Sequence, residues 1–288
     1  MITIAHSVNP FQAAPDSDLA VAQPITFASM RQAWDAATGC SVDLLAVCHE
    51  QDHAQVPEGF GATPPLNRSV LDLQPFQTPL ALPLIGDIFD RTHQASTADY
   101  LIYTNVDIGL QPHFYTRVAA LIREGHDALI INRRRLPAHY QGVEELPQIL
   151  QEAGKSHPGF DCFVFHRDLL PRFALAQVCI GVPFIGITLA QNLFALASNC
   201  RVITDEHLTF HLGMELYRRR APREYVRYNR QQFWRAMQQL GPQLDSRKWP
   251  YGERSMPERF WRWGWHPSLP IRLAWQLEAR RWRSSGNA

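Results

Sequence analysis

Ala98-Asp99-Tyr100-Leu101-Ile102-Tyr103-Thr104-Asn105-Val106-Asp107-Ile108-Gly109-Leu110 is the stretch whose reading decides the fold. Tyr100 to Tyr103 is a short run of β-formers, the pattern of a buried parallel strand. Thr104, Asn105, Val106 and Asp107 follow at once, so two oxygen-bearing side chains stand one residue apart at the strand's carboxyl edge. In open α/β sheets that edge is where ligands bind. Asn105 and Asp107 offer the oxygen donors that Mg²⁺ or Mn²⁺ prefers. The competing reading is an Asp that only caps the next helix, which opens at Gln111-Pro112-His113-Phe114 with Pro112 suited to its first turn.

Working towards the N-terminus, Leu84 to Thr97 has helical spacing and leads straight into the central strand. Val70 to Leu73 reads as a short strand, and residues 53 to 70, punctuated by Pro57, Gly59, Gly61, Pro64 and Pro65, read as loop. Val42 to Val47 is a strand with the polar end Cys48-His49-Glu50-Gln51-Asp52. Pro24 to Ala37 is a helix, and Ile2 to Ala5 is a first strand followed by the turn His6-Ser7-Val8-Asn9-Pro10. The order β-α-β-loop-β-α-β argues for a parallel, layered sheet.

Working towards the C-terminus, Phe114 to Glu124 is a helix closed by Gly125, and Ala128 to Asn132 is a strand. Arg133-Arg134-Arg135 follows as a basic strand end that either holds a diphosphate or is simply solvated. An acidic helical piece spans Glu144 to Glu152. Cys162 to Phe165 is a buried strand with Asp161 just before it. A carboxylate at the mouth of an apolar layer has a raised pKa and suits general-base work; the alternative is an Asp that caps its own turn. Gly186 to Ser198 is a core helix and Arg201 to Thr204 a strand. His207 and His211 are spaced i, i+4 ahead of Gly213, as metal ligands or as ordinary turn histidines. Arg218 to Gln239 is helical.

The 288 residues, 45% of them apolar, suffice for one large α/β domain with an appendage. No run of about 20 apolar residues exists to span a membrane. The N-terminus lacks the basic region of a signal peptide. Five scattered cysteines without a Cys-x-x-Cys pair read as buried free thiols of a cytoplasmic protein. Charge is divided unevenly. From Glu215 onward 16 Lys and Arg face 6 Asp and Glu, a balance of +10, against −9 before it, and seven of the eight Trp lie in the same basic piece. Such an Arg/Trp surface either meets anionic lipid headgroups and sugar rings or folds back on the body with Trp as anchors.

Asn-Val-Asp after one strand, Gly-Phe-Asp before a later one, and His-Leu-Gly after the last, in that order, resemble the nucleotide-diphospho-sugar transferase superfamily, the GT-A-type glycosyltransferases. The resemblance covers residues 1 to 213. It implies an α/β, GT-A-like (Rossmann-like) fold, with a mostly parallel central sheet flanked by helices, and leaves 214 to 288 as a basic, Trp-rich helical extension. It implies transfer of a sugar from a nucleotide-diphospho-sugar donor to a hydroxyl acceptor, a glycan or a lipid-linked molecule, assisted by Mn²⁺ or Mg²⁺. The first Asp of the family's usual Asp-x-Asp motif is Asn105 here, which ligates through a neutral oxygen. Residue by residue, the resemblance assigns the metal to Asp107 and His211 and places Asn105 on the donor. Asp161 becomes the acceptor-side base, Ser7, Val8 and Asn9 the contacts of base and ribose, and Arg91 a diphosphate contact. The expected location is the cytoplasm, with peripheral contact at the inner face of a membrane through the tail.

Three rivals remain on the sequence. A non-catalytic GT-A-like nucleotide-binding domain is suggested by Asn105. A nucleotidyltransferase would carry a Gly-rich basic loop after the first strand, which His6 to Pro10 lacks. A nucleic-acid binder would rest on the tail alone, and nothing in the body supports that partner.

Overall fold

The computed structural model describes residues 1–137, 139–212 and 222–245 and the positions 248, 255, 257 and 258, with only the backbone of 156–159. The expectations for Gly213 and for Trp261, Trp263 and Trp265 lie outside the described residues. Among the described residues nine strands form one sheet. They are β1 (Ile2–Val8), β2 (Cys40–Ala46), β3 (Gly61–Ala62), β4 (Tyr100–Thr104), β5 (Gly109–Leu110), β6 (Ala128–Leu136), β7 (Lys155–His166), β8 (Cys200–Ile203) and β9 (Thr209–Leu212). The spatial order is β3-β2-β1-β4-β7-β6-β9-β5, with β8 also paired to β6. β1, β2, β3 and β4 run parallel, as do β6, β8 and β9, while β7 runs against both β4 and β6.

Among the described residues six helices flank the sheet: α1 (Asp18–Asp35), α2 (Ile85–Ala95), α3 (Phe114–Arg123), α4 (Leu146–Gln151), α5 (Ile185–Leu196) and α6 (Arg223–Leu240). One face of the sheet packs Phe27 and Met30 of α1 with Phe114, Val118 and Leu121 of α3. The other packs Ile85, Ile88 and Phe89 of α2 with Leu189 and Leu193 of α5 and Phe233 and Met237 of α6. The fold is therefore a mixed, mostly parallel α/β sheet between two helical layers.

Several boundaries differ from the sequence reading, each for a local reason. α1 begins six residues before Pro24, because the Ser17 hydroxyl accepts from the Leu19 amide and caps the helix there. Val70 to Asp72 is a 3₁₀ turn and not a strand. Asp72 accepts from the Ser69 amide and the Ser69 hydroxyl from the Leu71 amide, which closes the turn locally. Arg133 to Arg135 does not follow β6 but belongs to it. Thr209 to Leu212 is a strand rather than a turn. Its partners in β6 and β5 are remote in sequence, and no local pattern reports them.

α6 is bound to the body along its length. Tyr225 stacks on Phe76 at 4.0 Å, and its hydroxyl donates to Thr78 O and accepts from the Leu80 amide. Glu224 accepts from the amides of Gln77 and Thr78. Asn229 brackets Cys179, accepting from its amide and donating to its carbonyl. Trp234 lies against the same core beside Phe233. The five cysteines are free thiols. No helix among the described residues is long and apolar enough to cross a membrane.

His6 is fully buried in β1, with Nδ1 2.8 Å from the Tyr115 hydroxyl and Nε2 2.9 Å from the Thr104 hydroxyl. Burial pulls its pKa from 6.5 down to about 3. The unfolded chain therefore binds a proton at His6 that the folded chain refuses, and stability falls as pH drops below 6.5. The expected loss from this residue between pH 7 and pH 5 is roughly 2 kcal/mol. Urea unfolding at the two pH values checks it. His6→Gln, whatever it costs at pH 7, removes that part of the pH dependence.

Candidate active site

The strand β4 ends in polar residues at the carboxyl edge of the sheet. Tyr103 is buried, and its hydroxyl donates to Asn105 Oδ1 at 3.0 Å, which fixes the Asn105 amide. The Ile108 amide donates to Asn105 O, so the chain turns tightly and Asp107 faces inward, 7% exposed. There Asp107 Oδ2 meets His211 Nε2 at 3.0 Å. His211 arrives on β9, held parallel to β6 with Thr209 opposite Arg133 and His211 opposite Arg135. The Thr209 hydroxyl adds a bond to Asn132 O across the same pair of strands.

Asp161 reaches the same place through an irregularity in β7. Ile131 pairs with Cys162 and Asn132 with Phe160, so Asp161 is the extra residue of a bulge. A bulge kinks its strand and re-aims the side chain it carries. Asp161 is thereby set against Arg133 of β6, with Nη1 to Oδ1 at 2.8 Å and both side chains mostly buried. Arg134 points elsewhere, to the carbonyls of Ala153 and Gly154, and Arg135 is exposed.

Electrostatics separate the two carboxylates. At Asp107 burial acts to raise the pKa, but the hydrogen bond and charge of His211 and the charge of Arg133 outweigh it, and the carboxyl is held below its usual range. At Asp161 burial dominates, Arg133 and His211 oppose it, Asp107 adds to it, and the carboxyl is pushed up. Two carboxylates with pKa values driven apart is the pattern that assigns acid–base roles. Asp107 Oδ1, Asp161 Oδ2, Arg133 Nε and His211 Nδ1 are all buried without a hydrogen-bond partner among the described residues. Four such atoms in one cluster mark a place shaped for a polar ligand.

The structure thus brings Asn105, Asp107, Asp161 and His211 to one site. Ser7 lies one strand away, opposite Tyr103, with its hydroxyl on Ile102 O. Val8 is fully buried in the sheet. Asn9 donates to Val47 O at 2.6 Å and ties the ends of β1 and β2 together. Arg91 is engaged away from the cluster, with Pro65 O and Gln94 Oε1. His207 sits in a left-handed turn (φ 48°) near Arg134 and His113. Tyr103, which sequence reasoning did not single out, is integral to the site, and so is Arg133, which the sequence placed in a basic strand end without separating it from Arg134 and Arg135. A separate cleft of about 390 Å³ lies between the loop after β1 and α1, lined by Phe11, Gln12, Phe27, Arg31 and Gln55. None of the four clustered side chains lines it.

For a divalent cation, Asp107 and His211 supply an oxygen and a nitrogen donor, and the Asn105 carbonyl a neutral oxygen; this hard-to-borderline set fits Mn²⁺ or Mg²⁺. Among the described residues no group of three or more His, Cys, Asp or Glu is placed to hold an ion.

No known protein family matches the sequence, and no curated protein matches it. Among solved structures it is similar to S. aureus TarS 1-349 in complex with UDP-GlcNAc, at 12% identity and a TM-score of 0.49, covering 90% of this chain and 75% of that one. Another crystal structure of TarS 1-349 is 10% identical at a TM-score of 0.45, and the chain spans 65% of its length. Glucosyl-3-phosphoglycerate synthase from Mycobacterium tuberculosis, in complex with Mn²⁺, UDP and phosphoglyceric acid, is 15% identical at a TM-score of 0.46, with 83% and 79% covered.

Proposed function

We propose that this chain is a GT-A-type glycosyltransferase that moves a sugar from a nucleotide-diphospho-sugar to a hydroxyl acceptor. The observation that carries the reading is the buried Asp107–His211 pair beside the Asp161–Arg133 pair, two carboxylates of opposed pKa shift at one strand edge. Asp107 and His211, with Asn105 on the donor side, are the residues that would hold Mn²⁺ or Mg²⁺. Bound there, such an ion would supply positive charge to neutralise the departing nucleoside diphosphate.

The chain's own residues account for the rest. The acceptor oxygen attacks the anomeric carbon as the bond from that carbon to the diphosphate breaks. Asp161 takes the hydroxyl proton on Oδ2, the oxygen that Arg133 leaves unpaired. Tyr103 fixes the Asn105 amide, so the strand end need not reorganise when the donor arrives. Ser7, Val8, Asn9 and Arg91 remain proposed donor contacts, each able to act only after exchanging or extending its present bonds. The polar acceptor, glycan or lipid-linked, and any membrane contact by the tail belong to this same proposal.

The test is thermal unfolding of the full chain with UDP, GDP, ADP and CDP, with and without Mn²⁺. A ligand at a hundred times its dissociation constant stabilises by about 2.7 kcal/mol, a rise of roughly 4 to 5 °C for a chain of this size. One nucleotide is expected to give that rise in the presence of Mn²⁺. No rise with any of the four would remove the reading. A rise without donor hydrolysis or transfer would leave a binding domain only.

A further inference from the structure

Among the described residues, the guanidinium of Arg133 meets the cluster through one nitrogen, Nη1. Nη1 meets Asp161 Oδ1 at 2.8 Å, while Nε, on the opposite edge of the fork, and Asp161 Oδ2 are buried without partners among the described residues. Arginine and carboxylate normally pair through two parallel bonds, which would have satisfied one of these pairs of atoms. A charged donor buried without an acceptor is costly, so the present pairing is not the arrangement the site is shaped to keep. Arg133 also acts on more than its contact partner, since its charge lowers both Asp161 and Asp107. Of the three consecutive arginines it is the one paired with a carboxylate of the cluster, while Arg134 bonds to the carbonyls of Ala153 and Gly154. An anion with several oxygens and more than one charge competes well for such a fork, because phosphate matches its geometry and outweighs one carboxylate.

We propose that Arg133 is a shared counter-ion, held by Asp161 in the donor-free protein and drawn onto the diphosphate of a bound donor, so that Asp161 is released for the acceptor only once a donor is in place. This rests on the glycosyltransferase reading and adds an order to it, donor first, acceptor activation second. It also gives a reason for the bulge at Asp161. The extra residue places the carboxylate within reach of Arg133 without giving the pair a register that pins it on both oxygens.

Competition for one cation has a signature in binding. The full chain is titrated calorimetrically with UDP, GDP, ADP and CDP in Mn²⁺ at about pH 8, where carboxylates are ionised. The nucleotide that binds is then carried through Asp161→Asn, Arg133→Gln and the double variant. Asp161→Asn keeps an oxygen for Nη1 but removes the carboxylate charge that competes for Arg133, and is expected to tighten binding roughly five- to ten-fold; Arg133→Gln is expected to weaken it roughly ten-fold or more. In the Arg133→Gln background, Asp161→Asn is expected to add little. Arg133→Lys, which keeps the charge, recovers part of the loss, and thermal unfolding of each variant confirms that it is folded. If Asp161→Asn leaves binding unchanged or weaker, or tightens it equally without Arg133, the counter-ion is not shared and the pair is a clamp on the bulge. If the wild type binds none of the four nucleotides, the glycosyltransferase reading falls and this inference with it.

Discussion

Replacing Asp161 with Asn is expected to lower the rate of donor turnover by about 10²- to 10⁴-fold, the usual contribution of a general base. The change keeps the shape of the side chain and an oxygen for Arg133 Nη1, so the bulge that carries it should persist. It removes the one group of the cluster whose carboxyl is pushed up by burial. The pH dependence gives a second, independent signature. Below its pKa Asp161 is protonated and cannot accept, so the rate falls on acidification. Because that pKa is raised, the acid limb lies at higher pH than an ordinary carboxylate would place it. The Asn variant loses the limb as well as the rate. Initial rates of sugar-nucleotide hydrolysis, with water as acceptor, measured across the acid and neutral range for both proteins, decide the matter. A variant within a few-fold of wild type at every pH would take the base role away from Asp161.

What could be read from the sequence follows from how local each cause is. β4 was legible because Tyr100 to Tyr103 is apolar on both faces and ends abruptly in Asn105 and Asp107, so one short window holds both the strand and its chemistry. Asp161 and His211 could each be picked out locally, but only with a turn cap or an ordinary turn histidine left as the alternative, and the order of motifs alone favoured the site. Their placement depends on β7 running against β4 and on β9 lying beside β6, pairings between residues about 60 to 80 apart. Arg133 illustrates the limit. Three arginines after an apolar run look like a strand end, yet β6 continues through them because β9 and β7 pair with it on either side. Whether a given arginine faces the site is set by the bulge register, and no windowed pattern contains that register. The Ser69–Asp72 turn was misread for the converse reason: Val70 and Leu71 favour a strand, and two polar side chains closing on backbone amides overrode them.

Asp107→Ala is expected to have the largest effect on donor binding, and its structural consequences can be separated from its functional ones. Alanine removes the partner of His211 Nε2 and leaves that nitrogen buried, a cost of about 1 to 3 kcal/mol in the ligand-free protein. It also removes the only charged oxygen donor of the pair that would hold the cation, so the Mn²⁺-dependent rise in melting temperature should disappear. Asp107→Asn discriminates between the two effects. The amide oxygen can still accept from His211, so stability near neutral pH should change less than in the Ala variant, while the lost charge still weakens cation and diphosphate binding. The wild-type carboxyl is held below 3.8, so its stabilising contribution is present above that pH and fades as pH falls through the lowered value; both variants lack this acid component. Melting curves of the three proteins with and without nucleotide and Mn²⁺ read out both terms. Should Asp107→Asn keep the full metal-dependent rise, Asp107 would be a structural partner of His211, and the donor would have to be held by other groups of the same strand edge.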